Sequence, residues 1–158
     1  MEKDFDLVLI LEMLDESLIL MKDMFCWDLK DIAYFKLNER TDESKSQMTE
    51  RTQRLLKQWL WGDYKLYNYF KSKLLQKIQD FGTELMIKQL RNLRLANEQL
   101  HSACHSVYTN NSDLKGTLFY MASNRVKGLA LDSNCALYAI SEPNFFRVMR
   151  AKQNKMFS

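Results

Sequence analysis

Apolar and polar residues fall in blocks whose spacing changes along the chain. Leu7–Leu11 is a continuous apolar run bounded by Asp4 and Asp6, and its length and β-branched content predict a buried strand. Glu12, Asp15 and Glu16 follow, with apolar residues at Leu14, Leu18, Met21 and Phe25. Spacings of four, three and four make a helical stripe, and acids in a first turn suit the positive helix N-terminus, so a helix is predicted over Asp15–Phe25. It breaks near Cys26-Trp27-Asp28, where Asp28 can cap a further turn reaching Tyr34. Residues 39–49 are polar and aperiodic and predict a loop. Helical spacing returns at Thr49 and continues to Cys104, with Leu66, Phe70, Leu74, Ile78, Phe81 and Leu85 as one stripe and Leu93, Ala96 and Leu100 continuing it. Gly62 is expected to divide a shorter helix from a long one that Asp63 caps, and Gly82 to bend or break the latter. Residues 106–117 predict a loop. The tail, 118–158, predicts short helices, one near Leu129–Ala139 and one opening at Glu142-Pro143, because proline fits a first helical turn.

The chain is 158 residues long, 46% hydrophobic and 27% charged, enough for a single domain with a core. Only four glycines and one proline punctuate it, which favours long helices over sandwiches and barrels. The net charge of +3 hides an asymmetry. Residues 1–50 carry 13 acids and 6 bases, whereas residues 51–114 carry 5 and 10, and residues 115–158 carry 2 and 7. This fits either mutually attracting solvated faces or an anionic partner. The bases are interspersed with acids and no reader motif accompanies them, so nucleic acid is not expected as a partner.

No apolar run approaches the ~20 residues of a membrane helix, and Met-Glu-Lys-Asp is not a signal-peptide start. Cys26, on an apolar face beside Trp27, is expected as a buried thiol. Cys104 and Cys135 stand in polar surroundings and can pair in an oxidising compartment. His101-x-x-Cys104-His105 offers three ligand types, but the spacing matches no zinc pattern and no metal is expected. Asn110-Asn111-Ser112 is an acceptor triplet for an N-linked glycan at Asn110.

Two constellations carry candidate chemistry. Trp59, Asp63 and Tyr67 are spaced by four, with Trp61 and Tyr64 beside them, and aromatic faces with a carboxylate suit a sugar. The plainer reading is aromatic packing where two helices meet. Glu12 would stand at the C-terminal end of the expected strand, where open α/β sheets bind ligands. Its plainer role is to cap the following helix or pair with a base.

The ordered set Glu12-x-x-Asp15-Glu16-Ser17-Leu18, Cys26-Trp27, Asp31-Ile32 and Tyr34-x-x-Leu37-Asn38 resembles the second half of the galactose 3-O-sulfotransferases, a family that includes galactosylceramide (cerebroside) sulfotransferases. The resemblance continues through Trp59, Asp63, Leu66-Tyr67, Phe70, Phe81-Gly82, Leu90-Arg91, Asn97 and Cys104, and more faintly through Cys135, Glu142 and Arg150. It implies an α/β sulfotransferase fold of the P-loop nucleotide-kinase type, of which this chain would be one partial domain: the mostly helical C-terminal part, with one strand near its N-terminus. It implies an enzyme that moves sulfate from 3′-phosphoadenylyl sulfate to the 3-hydroxyl of galactose on a glycolipid or glycan at the lumenal side of the Golgi membrane. In that lumen a Cys104–Cys135 bond could persist.

Such a reaction needs backbone amides and a lysine around the phosphosulfate. The strand-to-helix turn here carries Glu12, Asp15 and Glu16 instead, and no Gly-x-x-x-x-Gly-Lys occurs. The family's nucleotide motifs and membrane anchor precede the matching residues. The chain is therefore expected to be a fragment without a donor site, inactive by itself, whose natural partner is the missing N-terminal half. What it would retain is the acceptor wall, with Glu12, Trp59, Asp63 and Tyr67 as candidates. The competing expectation is a non-catalytic helical interaction module. An orphaned strand and an exposed apolar patch would favour the severed enzyme.

Overall fold

Burial of the long helical stripes organises the structure, a computed structural model that describes residues 5–37, 39–42, 45, 47–109, 117–120, 128–139 and 142–156. The chain forms two compact units, Met1–Ala33 with Gln47–Asn97, and Tyr34–Ser46 with Glu98–Ser158.

The first unit is helical: α1 (Leu14–Phe25), α2 (Glu50–Trp59), α3 (Trp61–Phe81) and the greater part of α4 (Thr83–Ala103). Its core joins Ile19 and Ile32 to Met86 and Leu93, with Leu18, Met21, Ile78, Phe81 and Leu90 packed around them. All but Ile32, which follows the short turn after α1, come from α1, α3 and α4, so each of these helices contributes one apolar stripe. Leu74 of the predicted stripe is buried, whereas Leu66 and Leu85 at its margins are exposed.

Helix ends follow local chemistry. Thr49 caps α2, its Oγ1 accepting the Thr52 amide at 3.2 Å. The division between α2 and α3 falls at Leu60, two residues before the expected Gly62, which lies inside α3 with open space around it. Gly82 does separate α3 from α4, at φ 98°, a conformation glycine adopts without Cβ strain. The predicted turn after Asp28 is a short 3₁₀ segment, Leu29–Asp31, and the Asp31 carboxylate accepts the Asp28 amide at 2.9 Å.

The N-terminal segment corrects the expectation most directly. Leu7–Ile10 is extended or irregular, Leu11–Met13 is a 3₁₀ turn, and no described residue pairs with the run in a ladder. A strand needs a neighbouring backbone for its amides. Here the Ile10 amide instead donates to the buried Ser17 Oγ at 3.2 Å, and the Met13 amide to the Ile10 carbonyl at 2.9 Å. Ile10 alone of the five apolar residues is fully buried, and Leu11 is 78% exposed.

Cys26 is a second correction. It ends α1 in the left-handed region (φ 54°), with its amide on Asp23 and the Trp27 amide on Lys22, a Schellman arrangement that turns its thiol to solvent.

The second unit holds a three-stranded antiparallel sheet of β1 (Val107–Tyr108), β2 (Thr117–Tyr120) and β3 (Leu129–Asp132), in the order β1-β3-β2. Val107 pairs with Ala130 on one side of β3, and Phe119 with Ala130 on the other. Leu129, Ala130 and Leu131 are all buried, as a central strand requires. A helix was expected over Leu129–Ala139. Three apolar residues in a row cannot distinguish strand from helix, and the structure makes a strand followed by a 3₁₀ segment, Ser133–Ala139. The final helix, α5 (Glu142–Met156), starts where the glutamate–proline pair predicts.

Phe35, Cys104, Leu129, Leu131 and Cys135 form this unit's core. Cys104 and Cys135, 31 residues apart, are joined by a disulfide. α4 ends as α1 does: His105 is left-handed (φ 43°), its amide on Ser102 and the Ser106 amide on His101.

Two stability predictions follow. Ser17→Ala leaves the Ile10 amide buried without an acceptor and should cost about 1–3 kcal/mol in chemical denaturation. Replacing Cys104 and Cys135 by serine should cost about 3–4 kcal/mol from lost loop closure, read from the midpoint under oxidising conditions.

Candidate functional site

The N-terminal segment, which pairs with no strand among the described residues, lies along α3. Phe5, Asp6, Leu7 and Val8 face Phe70, Lys73, Leu74, Gln76, Lys77 and Asp80 across a cleft of about 400 Å³. Residues 70, 73, 74 and 77 follow the spacing of one helix face, so a single side of α3 makes the wall. Phe5 and Phe70 meet edge to face at 6.2 Å, closing one part of the cleft with aromatic surface. The Gln76 amide donates to the Asp80 carboxylate at 2.9 Å, and the Lys73 ammonium stands 5.5 Å from the Tyr69 ring.

Two lysines, two aspartates and an amide around aromatic edges can bond hydroxyl groups as donors and acceptors while apolar ring faces lie against them. The volume suits a sugar-sized ligand. No phosphate-cradling loop contributes to the lining, and the carboxylates oppose a multiply charged anion there. The turn into α1 does not fit a phosphosulfate, because Glu12, Asp15 and Glu16 stand in it.

None of Glu12, Trp59, Asp63 and Tyr67 lines this cleft. Glu12 is exposed in the Leu11–Met13 turn. Trp59 ends α2 at 85% exposure, and Asp63 stands exposed in the first turn of α3. Tyr67 is half-buried, with the Lys71 ammonium 5.4 Å from its ring, and Lys65 stands 4.9 Å from the Trp61 ring. Trp59, Trp61 and Tyr64 at this junction are therefore exposed, not core. Phe5, Asp6, Lys73, Lys77 and Asp80 were not singled out from sequence as a site. The lysines and Asp80 flank the Phe70–Leu74 stripe at helical spacing, a visible signal, whereas the return of Phe5–Val8 onto α3 has no local signature.

In the second unit the polar groups are committed to structure. The His101 Nδ1 and Ser106 Oγ are 2.6 Å apart, and burial lowers the His101 pKa below its ordinary 6.5. His105 Nδ1 lies 2.8 Å from the Asp132 carboxylate. Since the Cys104 sulfur is bonded to Cys135, the His101/Cys104/His105 run cannot act as a ligand set. Among the described residues no group of His, Cys, Asp and Glu could hold a metal. Tyr108 accepts the Lys36 amide through its hydroxyl at 2.9 Å, and burial raises its pKa above 10.0. Asn110 lies outside the described residues. Among the described residues no helix is long and apolar enough to cross a membrane.

A family model described as galactose-3-O-sulfotransferase matches residues 1–116. A galactosylceramide sulfotransferase of Mus musculus is 39% identical over 103 residues, which is 65% of this chain and 24% of the relative. The Homo sapiens galactosylceramide sulfotransferase matches over the same shares at 39%. A galactose-3-O-sulfotransferase 2 of Homo sapiens is 33% identical over 104 residues, 65% of this chain and 26% of the relative. The chain thus spans about a quarter of the length of the curated relatives it matches. No solved structure matches it.

The lowered His101 pKa has a testable sign. The folded protein holds the ring neutral, so the unfolded chain binds a proton first as pH falls past 6.5. This group's contribution is undiminished above that pH and is lost progressively below it. The ring resonances of His101 in NMR should titrate with a midpoint under 6.5.

Proposed function

The chain belongs to the galactose-3-O-sulfotransferase family, and from that premise we propose that it is the acceptor-side, C-terminal part of a P-loop-type sulfotransferase domain. The complete enzyme transfers sulfate from 3′-phosphoadenylyl sulfate to the 3-hydroxyl of galactose on a glycolipid or glycan. The galactose oxygen attacks sulfur, the bridging oxygen leaves with adenosine 3′,5′-bisphosphate, and the hydroxyl proton passes to a base. The observation that carries this reading is the family match over residues 1–116, supported by relatives named galactosylceramide sulfotransferase at 39% identity.

The chain's own chemistry favours the acceptor rather than the donor. The cleft between Phe5–Val8 and α3 offers aromatic edges and hydroxyl-bonding groups of both polarities. Exposed Glu12, Trp59 and Asp63, with half-buried Tyr67, are open to the acceptor or to the donor-binding half. The Cys104–Cys135 bond suits an oxidising compartment such as the Golgi lumen, and Asn110 is an acceptor for a glycan attached earlier on the same secretory route.

Calorimetry of the chain with adenosine 3′,5′-bisphosphate should register no binding, and incubation with donor and galactosylceramide should give no product. Exchange of these residues for the matching segment of the mouse enzyme should preserve sulfation at the galactose 3-hydroxyl, assigned by NMR of the product. Donor binding by the isolated chain would contradict the division of labour. A folded chimera that sulfates another hydroxyl, or none, would contradict the acceptor assignment.

A further inference from the structure

Every residue of α2 is exposed, although its sequence has a distinct apolar side. At 3.6 residues per turn, Leu55, Leu56 and Trp59 fall on one arc with Thr52, while Arg54 and Lys57 fall on the opposite one with Gln53 and Gln58, and Arg51 stands at the border beside Leu55. Nothing among the described residues covers this arc. Here Leu55 and Leu56 are open to solvent and Trp59 is 85% exposed. Just past the helix end, Leu60 and Trp61 are exposed as well, Trp61 at 62%.

Charge selects the occupant of this face. Arg51, Arg54 and Lys57 make no ion pair among the described residues, and the helix's only acid, Glu50, stands in its first turn beside the positive N-terminus. Lys65 adds a further cation against the Trp61 ring. A second copy of the chain would bring like cations together. An anionic surface would meet them, and a short helix with leucine and tryptophan on one side and free cations on the other has the composition of an interfacial helix.

We propose that α2 and the first turn of α3 dock on an anionic lipid surface. Leu55, Leu56, Trp59, Leu60 and Trp61 enter the boundary between headgroups and acyl chains. Arg51, Arg54 and Lys57 remain at headgroup level, where they attract negative charge. The inference stands on the helix itself; it adds to the sulfotransferase reading a way for the chain to reach an acceptor held in a membrane.

The test is co-sedimentation of the 158-residue chain with phosphatidylcholine vesicles, with and without phosphatidylserine, and free of any galactolipid. Docking is then read separately from sulfation. The chain should partition onto the anionic vesicles with a blue shift in tryptophan emission, and added salt should weaken that partition. Arg51→Gln, Arg54→Gln and Lys57→Gln together should reduce it by about two orders of magnitude. Leu55→Gln with Leu56→Gln should reduce it by at least about tenfold, with circular dichroism confirming unchanged helicity. The absence of partition would overturn the proposal. So would partition indifferent to both variant sets, or a blue shift in lipid-free solution accompanied by dimerisation in the ultracentrifuge.

Discussion

A buried amide must find an acceptor, and the first unit is arranged around one such requirement. The backbone of Ile10 is extended and its side chain buried, yet no adjacent strand receives its N–H. Ser17, fully buried one turn into α1, receives it. That bond fixes how the N-terminal segment enters the helix, and the segment so fixed supplies Phe5–Val8 as one wall of the cleft on α3. Glu12 is carried in the intervening turn, which explains its exposure. Core, cleft and candidate carboxylate share this one contact, because an unmet amide in an apolar setting costs more than any single van der Waals contact returns.

The second unit solves a different problem with different means. Its sheet is small, and β1 is only two residues long. The central strand β3 is buried, and the Cys104–Cys135 bond ties the end of α4 to the segment that follows that strand. The Asp132 amide on the Cys104 carbonyl and the His105–Asp132 contact add two polar links at the same place. A short three-stranded sheet gains much from a covalent closure beside its central strand.

The functional picture divides along the same lines as the chemistry. Sulfuryl transfer needs an anion cradle and an acceptor pocket, and these have opposite electrostatic demands. A cradle collects amides, lysine and arginine; an acceptor pocket mixes donors and acceptors beside apolar surface. The cleft with Phe5, Phe70, Lys77, Asp6 and Asp80 has the second character. An acidic turn ahead of α1 is incompatible with the first.

The sequence alone determined the periodic elements. The stripe from Leu66 to Phe81, the stop at Gly82, the turn after Asp28 and the proline-led final helix all rest on interactions within a few residues, so their signals are local. The ordered residues from Glu12 to Cys104 also carried the family. Tertiary structure alone decided which apolar runs are covered. Leu7–Leu11 and Leu129–Leu131 look alike as strings, yet among the described residues the first has no partner strand and the second lies between two, because ladder bonds depend on segments far away in sequence. The exposure of Cys26 and Trp59, and the return of Phe5–Val8 onto α3, were fixed in the same way: spacing places a side chain on a face, and only the packed chain determines what stands opposite.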